Sequence, residues 1–166
     1  MTGTRSSKES EDEKHMSKKL IVYFSAEGTT AAVAKEAADA LGIDLFEIKP
    51  LHAYTAADIN WKNPMARCNR EKFGKKDVPT VGKIDGFKEY DTVYIGFPIW
   101  YGCAPNVVNT FCKGYDWAGK NVYAFATSGG SAIGKTAEKL RSFIKNGTVV
   151  DAKLVHNADE LKEYIA

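Results

Sequence analysis

Residues 20–30, LIVYFSAEGTT, contain the part of the sequence that decides the fold class. The first five, residues 20–24, form a short apolar run of the kind expected for a strand that is buried on both faces. Residues 25–30 are small or carry hydroxyl groups apart from Glu27, and a helical pattern begins directly after them. The segment therefore predicts a strand, a tight turn and a helix N-terminus in immediate succession.

The junction between this strand and this helix predicts an anion site. The backbone N–H groups of a first helical turn have no partner within the helix, and the positive end of the helix dipole points the same way. The alternative is that Ser25, Thr29 and Thr30 only cap the helix, as hydroxyl side chains commonly do. The segment taken alone leaves both interpretations open.

The apolar pattern predicts four further strands with helical patterns between them. In the first helix Val33, Ala37 and Leu41 are predicted to share the buried face. A later helix is entered through Pro105, and Asn157 is a predicted cap for the last one. Strands that alternate with helices predict a parallel sheet with helices on both faces, a doubly wound, three-layer α/β sandwich. The further strands are predicted at residues 43–48, 92–96, 122–127 and 148–155.

Length and composition favour one domain. The 166 residues are 44% hydrophobic and 27% charged, as in ordinary globular proteins. Residues 1–17 are polar and charged, so we expect a disordered leader or tag, followed by a domain at residues 18–166. No apolar run reaches the roughly 18 residues that would span a membrane, so no membrane association is predicted.

Residue types that bind metals or form disulfides are few. Cys68, Cys103 and Cys112 are odd in number and widely spaced, which argues against a disulfide framework or a zinc site and favours a reducing, cytoplasmic compartment. His52 and His156 have no ligand-like neighbours in sequence, so no metal site is predicted. The net charge of +2 includes no dense basic block, which argues against nucleic-acid binding.

Two more loops are predicted at the same edge of the sheet as residues 25–30. Ligands of open parallel sheets bind at the carboxyl ends of the strands, where residues 97–102, FPIWYG, and residues 128–131, SGGS, are expected to lie. Trp100 and Tyr101 suit stacking on a planar ring, although a hydrophobic plug over the strand ends is the alternative. The Gly-rich loop allows its backbone N–H groups to approach a ligand closely.

Residues 50–90 are too many for a simple connection, and segments of this length usually carry a function or short structure of their own. A helical turn is predicted near residues 70–73. The aromatic residues Tyr54 and Trp61 either pack on the edge of the domain or form a lid over a flat ligand.

A second phosphate-binding pattern, at residues 129–136, is misleading. GGSAIGKT matches the Walker A sequence G-x-x-x-x-G-K-[ST], in which Lys135 would contact phosphates and Thr136 would bind magnesium. Thirty residues follow Thr136, which is too few for the strands that a P-loop domain builds after this motif. We therefore do not expect a nucleotide-hydrolysing site.

Three ordered motifs give the sequence its resemblance to the flavodoxins. They are YFSAEGTT, GFPIWYG and TSGGSAIG, and YTAADINW at residues 54–61 resembles a further segment of the same group. The resemblance covers nearly the whole of residues 18–166 and implies a flavodoxin-like five-stranded sheet of order 2-1-3-4-5. It also implies FMN at the reversal of strand order between strands one and three.

The resemblance also assigns the FMN contacts. The turn after the first strand would hold the phosphate, the aromatic and Gly-rich loops would flank the isoalloxazine ring, and Trp61 would cover its other face. Glu27 stands where the family usually has Thr, and a carboxylate beside a phosphate weakens binding unless it points into solvent. The implied cofactor-binding residues are Ser25, Ala26, Glu27, Gly28, Thr29, Thr30, Trp61, Pro98, Ile99, Trp100, Tyr101, Gly102, Ser128, Gly129, Gly130 and Ser131.

The function implied by the resemblance is an electron carrier that shuttles low-potential electrons between redox partner proteins, a reductase and an acceptor. It requires no catalytic acid, base or nucleophile, because the flavin supplies the chemistry. The main alternative is a small FMN-dependent NAD(P)H:quinone-type reductase, but no separate nicotinamide motif is visible. A cofactor-free interaction module is a further alternative. The basic balance of the chain departs from the acidic docking faces typical of the family.

Overall fold

The structure is a computed structural model that describes residues 18–101, 103–127 and 133–166. The predicted leader, residues 1–17, lies outside the described residues. The strands of the described residues are β1 (Lys19–Tyr23), β2 (Asp44–Glu47), β3 (Lys49–Pro50), β4 (Thr80–Val81), β5 (Thr92–Pro98), β6 (Asn121–Thr127) and β7 (Thr148–Leu154).

The long strands form one parallel sheet in the order β2-β1-β5-β6-β7. This confirms the predicted order 2-1-3-4-5 when only these five strands are counted, and the predicted bounds agree with the observed ones to within two residues. The neighbouring residues Ile21 and Val22 of β1 are both 0% exposed. The continuous apolar run is therefore buried on both faces of the sheet, as the sequence indicates.

The helices are α1 (Thr29–Leu41), α2 (Arg67–Phe73), α3 (Asn106–Lys113), α4 (Thr136–Arg141) and α5 (Ala158–Ile165), with a 3₁₀ turn at Phe87–Glu89. α1 and α5 pack on one face of the sheet together with Ile21 and Tyr94. α3 and α4 pack on the other face together with Val22 and Ile95. This confirms the three-layer α/β sandwich. No helix in the described part of the chain has the length and apolar character needed to cross a membrane.

One predicted core position of α1 is wrong. Val33 and Ala37 are buried, but Leu41 is 40% exposed. Leu41 is the last residue of α1, and Gly42 follows it in a left-handed conformation (φ 65°) with its N–H bonded to the carbonyl of Ala38. Its side chain therefore lies at the open end of the helix, and the smaller Ala38 fills the buried position.

Gly96 in β5 allows a close approach between neighbouring strands. A Cβ atom at residue 96 would lie 2.1 Å from Cζ of Phe125, where no atom fits. Gly96 and Phe125 are directly paired across β5 and β6, so the phenyl ring covers the glycine. This pair fixes the packing beneath the carboxyl edge of the sheet.

Residues 51–79, which we call the excursion, leave the sheet after β2 and return before β5. β3 and β4 form an antiparallel pair that closes its base, and the N–H of Leu51 donates to the carbonyl of Pro79 at 2.8 Å. α2 lies inside the excursion and includes the helical turn predicted near residues 70–73. The long segment carries structure of its own, as predicted.

Candidate functional site

A cleft of about 680 Å³ opens at the carboxyl edge of the sheet. It lies where the strand order reverses between β1 and β5, and its volume is typical of small-molecule sites. The lining residues are Ser25, Ala26, Glu27, Thr29, Thr30, Ile59, Trp61, Cys68, Pro98, Ile99, Trp100, Tyr101, Thr127, Val155 and His156.

Two groups of lining residues differ in chemistry. We call Ser25, Thr29, Thr30 and Thr127 the hydroxyl end of the cleft. We call Trp61, Trp100 and Tyr101 the aromatic end. Polar donors and large planar side chains therefore border the same cavity.

The hydroxyl end begins with a glycine turn that leaves helix donors unpaired. Gly28 is the N-cap of α1 and has a φ of 96°, which favours glycine. Its N–H donates to Oγ of Ser25 at 3.0 Å, so the Ser25 hydroxyl proton is not used in this bond. The N–H groups of Thr29 and Thr30 have no acceptor among the described residues. No hydroxyl therefore caps the first turn in the described structure, and its donors border the cleft.

A pair of threonine hydroxyls extends this end of the cleft to β6. Oγ1 of Thr30 and Oγ1 of Thr127 lie 2.7 Å apart, and both residues are buried, at 1% and 6% exposed. One hydroxyl proton lies between the two oxygens, and the second proton remains available to another acceptor. A ligand oxygen at this point would complete the hydrogen bonding of the pair.

Two lining residues near the hydroxyl end have ionisable side chains, Glu27 and His156. Glu27 lines the cleft and is exposed. His156 follows β7, and its ring nitrogen Nδ1 lies 2.9 Å from Oε2 of Glu160. The backbone N–H and the ring of His156 lower the pKa of the Glu160 carboxyl. No lysine or arginine is among the lining residues that the structure describes, so the hydrogen-bond donors of Ser25, Thr29, Thr30 and Thr127 at this end are neutral.

Trp100 stands in a short hairpin after β5. Its N–H and carbonyl both bond Cys103, at N···O distances of 3.0 and 3.2 Å. The rings of Phe24 and Tyr54 meet the indole edge to face, at centroid distances of 5.7 and 5.3 Å. These contacts fix the orientation of the half-buried indole at the mouth of the cleft.

Tyr101 takes a left-handed backbone conformation, with φ at 57°. Its hydroxyl donates to Oδ1 of Asn69 and lies 3.4 Å from Sγ of Cys68. Burial and the contact with Cys68 raise the pKa of this phenol above its usual value. A left-handed conformation costs a non-glycine residue about 1–2 kcal/mol, and the side-chain contacts with α2 offset this cost.

Arg67 holds the excursion together. Its guanidinium donates to Oε2 of Glu71 at 3.0 Å and to the carbonyl of His52 at 2.8 Å, and it lies 3.8 Å from Oδ2 of Asp58. It also stacks 3.9 Å from the ring centre of Tyr54. Burial, followed by the hydrogen bond to Glu71, raises the pKa of Tyr54. Tyr54 in turn contacts Trp100, so Arg67 supports the aromatic end without lining the cleft.

Trp61 is the most exposed member of the aromatic end. Its side chain is 67% exposed, while its backbone is held because Nδ2 of the buried Asn69 donates to its carbonyl at 2.9 Å. The same amide donates to the carbonyl of Asn63 at 2.7 Å. The indole is thus presented on a fixed loop at the edge of the cleft.

The cleft brings together most of the residues that the sequence assigns to a site. Gly28 does not line it, and its N–H is used by Ser25. Gly102, Ser128, Gly129, Gly130 and Ser131 lie outside the described residues. The predicted residues that line the cleft are Ser25, Ala26, Glu27, Thr29, Thr30, Trp61, Pro98, Ile99, Trp100 and Tyr101.

Sequence reasoning did not assign five lining residues to the site. They are Ile59, Cys68, Thr127, Val155 and His156. Thr127 and His156 end or follow predicted strands, and the rule that parallel sheets bind ligands at these ends could have indicated them. Ile59, which belongs to the segment YTAADINW, and Cys68 reach the cleft only through the path of the excursion, which no periodicity in the sequence predicts.

The cysteines are unpaired and buried. Sγ of Cys103 lies 3.0 Å from Nζ of Lys72 and 3.6 Å from the carbonyl of Trp100, so this thiol is a packed side chain shortly before the start of α3. Within the described ranges no group of three or more His, Cys, Asp or Glu residues could hold a metal ion.

The described part of the Walker A pattern does not form a magnesium site. Thr136 is the first residue of α4 and is 0% exposed. Its hydroxyl donates to the carbonyl of Ile133. The Thr136 oxygen, which would bind magnesium in a Walker A motif, is therefore buried and hydrogen bonded.

Comparisons with known sequences agree with this geometry. A sequence profile of the Flavodoxin family matches residues 18–166. A comparison with curated proteins gives no match.

Solved structures resemble the chain over nearly its whole described length. A candidate flavoprotein from Bacteroides uniformis ATCC 8492 is 39% identical, with a TM-score of 0.80 over 89% of this chain and 97% of that one. One from Bacteroides eggerthii DSM 20697 is 37% identical, with a TM-score of 0.79 over 89% and 95% of the two chains. A flavoprotein from Lactobacillus acidophilus NCFM, solved in complex with FMN, is 22% identical and shares the fold, with a TM-score of 0.68 over 90% and 99%.

Proposed function

The chain belongs to the flavodoxin family, and on that premise we propose that it binds FMN in the cleft and carries electrons between redox partner proteins. The phosphate of FMN would lie at the hydroxyl end, and the isoalloxazine ring at the aromatic end. The Lactobacillus acidophilus flavoprotein, which shares the fold, is solved in complex with FMN, and this supports the choice of cofactor.

The hydroxyl end has the donors that a phosphate needs. The N–H groups of Thr29 and Thr30 lie at the positive end of the α1 dipole without a described acceptor. The Ser25 hydroxyl accepts from Gly28 and keeps its own proton for a ligand. The Thr30 and Thr127 pair supplies a further proton. These N–H and O–H groups would bind a phosphate through hydrogen bonds alone, without a lysine or arginine among the described lining residues.

The aromatic end has the shape that a planar ring needs. The indole of Trp100 meets Phe24 and Tyr54 edge to face, and both faces of an indole suit stacking. Trp61 exposes two thirds of its surface beside the same cavity. Apolar surface removed from water stabilises a complex by roughly 25 cal/mol per Å², so a flat ligand between these side chains would be favoured.

The protein's own part in this function is to bind, orient and shield. Bound FMN supplies the electron exchange. Trp100 and Tyr101 would keep water away from one part of the ring, and Trp61 would cover another. Thr29, Thr30 and Thr127 would fix the distance between the phosphate and the sheet. No side chain of the cleft is assigned as a general acid, base or nucleophile.

One observation carries the proposal: unpaired helix N–H groups and large aromatic side chains border a single cavity of about 680 Å³. Each feature alone has an ordinary structural explanation, as a helix start or as a hydrophobic plug. Their meeting at the reversal of strand order matches both parts of FMN. We also place the function in the cytoplasm, where three free cysteines would stay reduced.

The visible absorption spectrum of the purified protein, with and without added FMN, tests the cofactor. We expect oxidised-flavin bands and quenched flavin fluorescence, followed by reduction on addition of dithionite. A colourless protein that leaves the fluorescence of added FMN unchanged would overturn the proposal. It would favour the cofactor-free interaction module instead.

The oxidation of NAD(P)H without a partner protein separates the two flavin functions. An electron carrier loaded with FMN should show no turnover with NAD(P)H and a quinone until a reductase is added. Sustained turnover without a reductase would replace the carrier by the small NAD(P)H:quinone-type reductase.

A further inference from the structure

The mouth of the cleft is surrounded by unusually exposed apolar side chains. Phe73 is 76% exposed, Met65 is 73% exposed and Trp61 is 67% exposed. Tyr101 adds a fourth, at 36% exposed. Single exposed apolar residues need no explanation, but a cluster around a ligand site indicates an interaction surface.

These side chains are connected through the cleft and α2. Trp61 and Tyr101 both line the cleft, and the ring of Phe73 lies 5.7 Å from that of Tyr101. Asn69 of α2 bonds the carbonyls of Trp61 and Asn63, which holds the loop before Met65 against the helix. We call Trp61, Met65, Phe73 and Tyr101 the apolar rim.

The segment that contains most of the apolar rim, residues 58–77, has an excess of positive charge. Residues 58–77 contain six basic and three acidic side chains, whereas the whole chain has a net charge of only +2. Asp58 and Glu71 pair with Arg67, and Asp77 pairs with Lys113. Each acidic group of the segment therefore has a basic partner, although Asp58 and Glu71 share one guanidinium.

Several basic side chains of the segment remain unpaired. The ammonium of Lys62 lies 5.7 Å from the ring centre of Trp61. Arg70, on α2, is exposed three residues before Phe73. Lys75 and Lys76 follow α2 and are also exposed. None of these four residues forms an ion pair with a described residue.

From this composition we propose that the apolar rim, with Lys62, Arg70, Lys75 and Lys76 around it, docks a small redox protein whose contact face is acidic. Aromatic residues, Met and Arg are the residue types enriched in protein interfaces, and a charged periphery selects partners of opposite sign. A small redox protein fits because the surface encloses the opening of the cleft. That the partner is a redox protein follows from the proposed function. That its contact face is acidic follows only from the exposed basic residues around the apolar rim.

Binding to an acidic [2Fe–2S] ferredoxin, measured by calorimetry, tests the proposal on both the FMN-loaded and the FMN-free full chain. We expect binding at about 10 mM salt that weakens at about 150 mM, because the Debye length falls from about 30 to 8 Å. The triple variant K62Q/R70Q/K75Q should weaken binding at the lower salt by about tenfold or more. Phe73→Ser should weaken it at both salt concentrations, since its contribution is apolar.

A charge-matched control distinguishes an effect of the proposed docking surface from an effect of the protein's net charge. The variant K83Q/K88Q/K145Q removes three exposed lysines that lie outside residues 58–77 and precede β5 and β7 in the chain. It should bind the ferredoxin like the parent protein. Equal losses in both triple variants, or no binding by the parent protein at about 10 mM salt, would overturn the proposal.

Vesicles that contain phosphatidylserine provide the test against a membrane partner. Vesicle binding that is lost in K62Q/R70Q/K75Q, without ferredoxin binding by the parent protein, would replace the acidic protein by an anionic membrane. The visible spectrum shows separately whether the protein binds FMN. Ferredoxin binding by a protein that takes up no FMN would keep the acidic docking surface and remove only the redox character of its partner.

Discussion

The hydroxyl end of the cleft comes mainly from one stretch of chain, whereas the aromatic end is assembled from distant ones. Ser25, Thr29 and Thr30 lie within residues 25–30, and only Thr127 joins them from another strand. Trp61 belongs to the excursion, and Trp100 and Tyr101 belong to the loop after β5. The first group depends on local backbone geometry, and the second depends on tertiary contacts.

The two ends of the cleft can therefore be damaged independently of each other. The hydroxyl end needs a strand end, a left-handed Gly28 and the first turn of α1. The aromatic end needs Arg67, Tyr54 and Asn69, none of which lines the cleft. Riboflavin, which has the ring of FMN without its phosphate, distinguishes the ends experimentally. Substitutions at the aromatic end should weaken the binding of both ligands, and substitutions at the hydroxyl end should weaken the binding of FMN alone.

Arg67→Ala should have the largest effect. It removes the ion pairs with Glu71 and Asp58 and the hydrogen bonds to the carbonyls of His52 and Ala53. It also leaves Glu71, whose side chain is 14% exposed, without its cation. We expect a loss of about 2–3 kcal/mol in the free energy of unfolding and weaker binding of both FMN and riboflavin. Urea unfolding and fluorescence titration measure the two effects.

Arg141→Ala is the matched control for Arg67, because its guanidinium has one bond to the carbonyl of Val149. It should cost less than about 1 kcal/mol and leave both ligands unaffected. Equal losses in the two variants would show that Arg67 is not the support of the aromatic end.

Trp100→Ala should affect both ligands with a smaller effect on the fold. Stacking of an aromatic side chain on a heterocyclic base is worth about 1–3 kcal/mol in alanine substitutions, so we expect dissociation constants about tenfold to hundredfold higher. The reduction potential of bound FMN should also change. Trp100→Phe should retain most of the affinity, and unchanged affinity and potential in the alanine variant would remove Trp100 from the ring site.

Thr30→Val should weaken the binding of FMN and leave the binding of riboflavin unchanged. The substitution keeps the buried shape and removes one hydroxyl of the 2.7 Å pair with Thr127. A hydrogen bond to a charged group contributes about 1.5–3 kcal/mol, so FMN should bind at least about tenfold more weakly while riboflavin is unchanged. Thr110→Val, which removes a hydroxyl that bonds Val78 and Asn106 outside the cleft, should alter neither ligand. A parallel loss of riboflavin affinity in Thr30→Val would contradict the assignment.

Glu27→Thr should have the smallest effect and the opposite sign. An exposed carboxylate beside a phosphate repels it weakly, so we expect FMN to bind about threefold more tightly, with a smaller gain at high salt. Riboflavin should not respond, and Glu36→Thr on the exposed side of α1 should change neither ligand. If FMN affinity does not change, the Glu27 side chain faces away from the phosphate.

The sequence predicts more of the fold than of the site. The strands are visible because Val, Ile, Tyr and Phe form short apolar runs that only a buried sheet explains, as in residues 20–24. Leu41 is the exception, because periodicity does not show that a helix is about to end. Thr127 is the first residue of the TSGGSAIG motif and His156 follows a predicted strand, but neither pattern shows that the side chain lines the cleft; the completed sheet brings both residues there. The path of the excursion depends on Arg67 and Asn69, whose partners are up to 32 residues away in sequence.

The sequence indicated three of the four residues at the hydroxyl end of the cleft, Ser25, Thr29 and Thr30. A buried strand, a left-handed glycine and the start of a helix follow one another within a few residues, so local backbone preferences fix where the unpaired N–H groups point. At the aromatic end the sequence indicated Trp61, Trp100 and Tyr101 as candidates, but their meeting around one opening, and the basic, apolar rim outside it, came only from tertiary contacts. Trp61, Phe73 and Tyr101 are ordinary aromatic residues until ion pairs and side-chain amides of the excursion hold them around one opening, and such contacts leave no periodic pattern in a sequence.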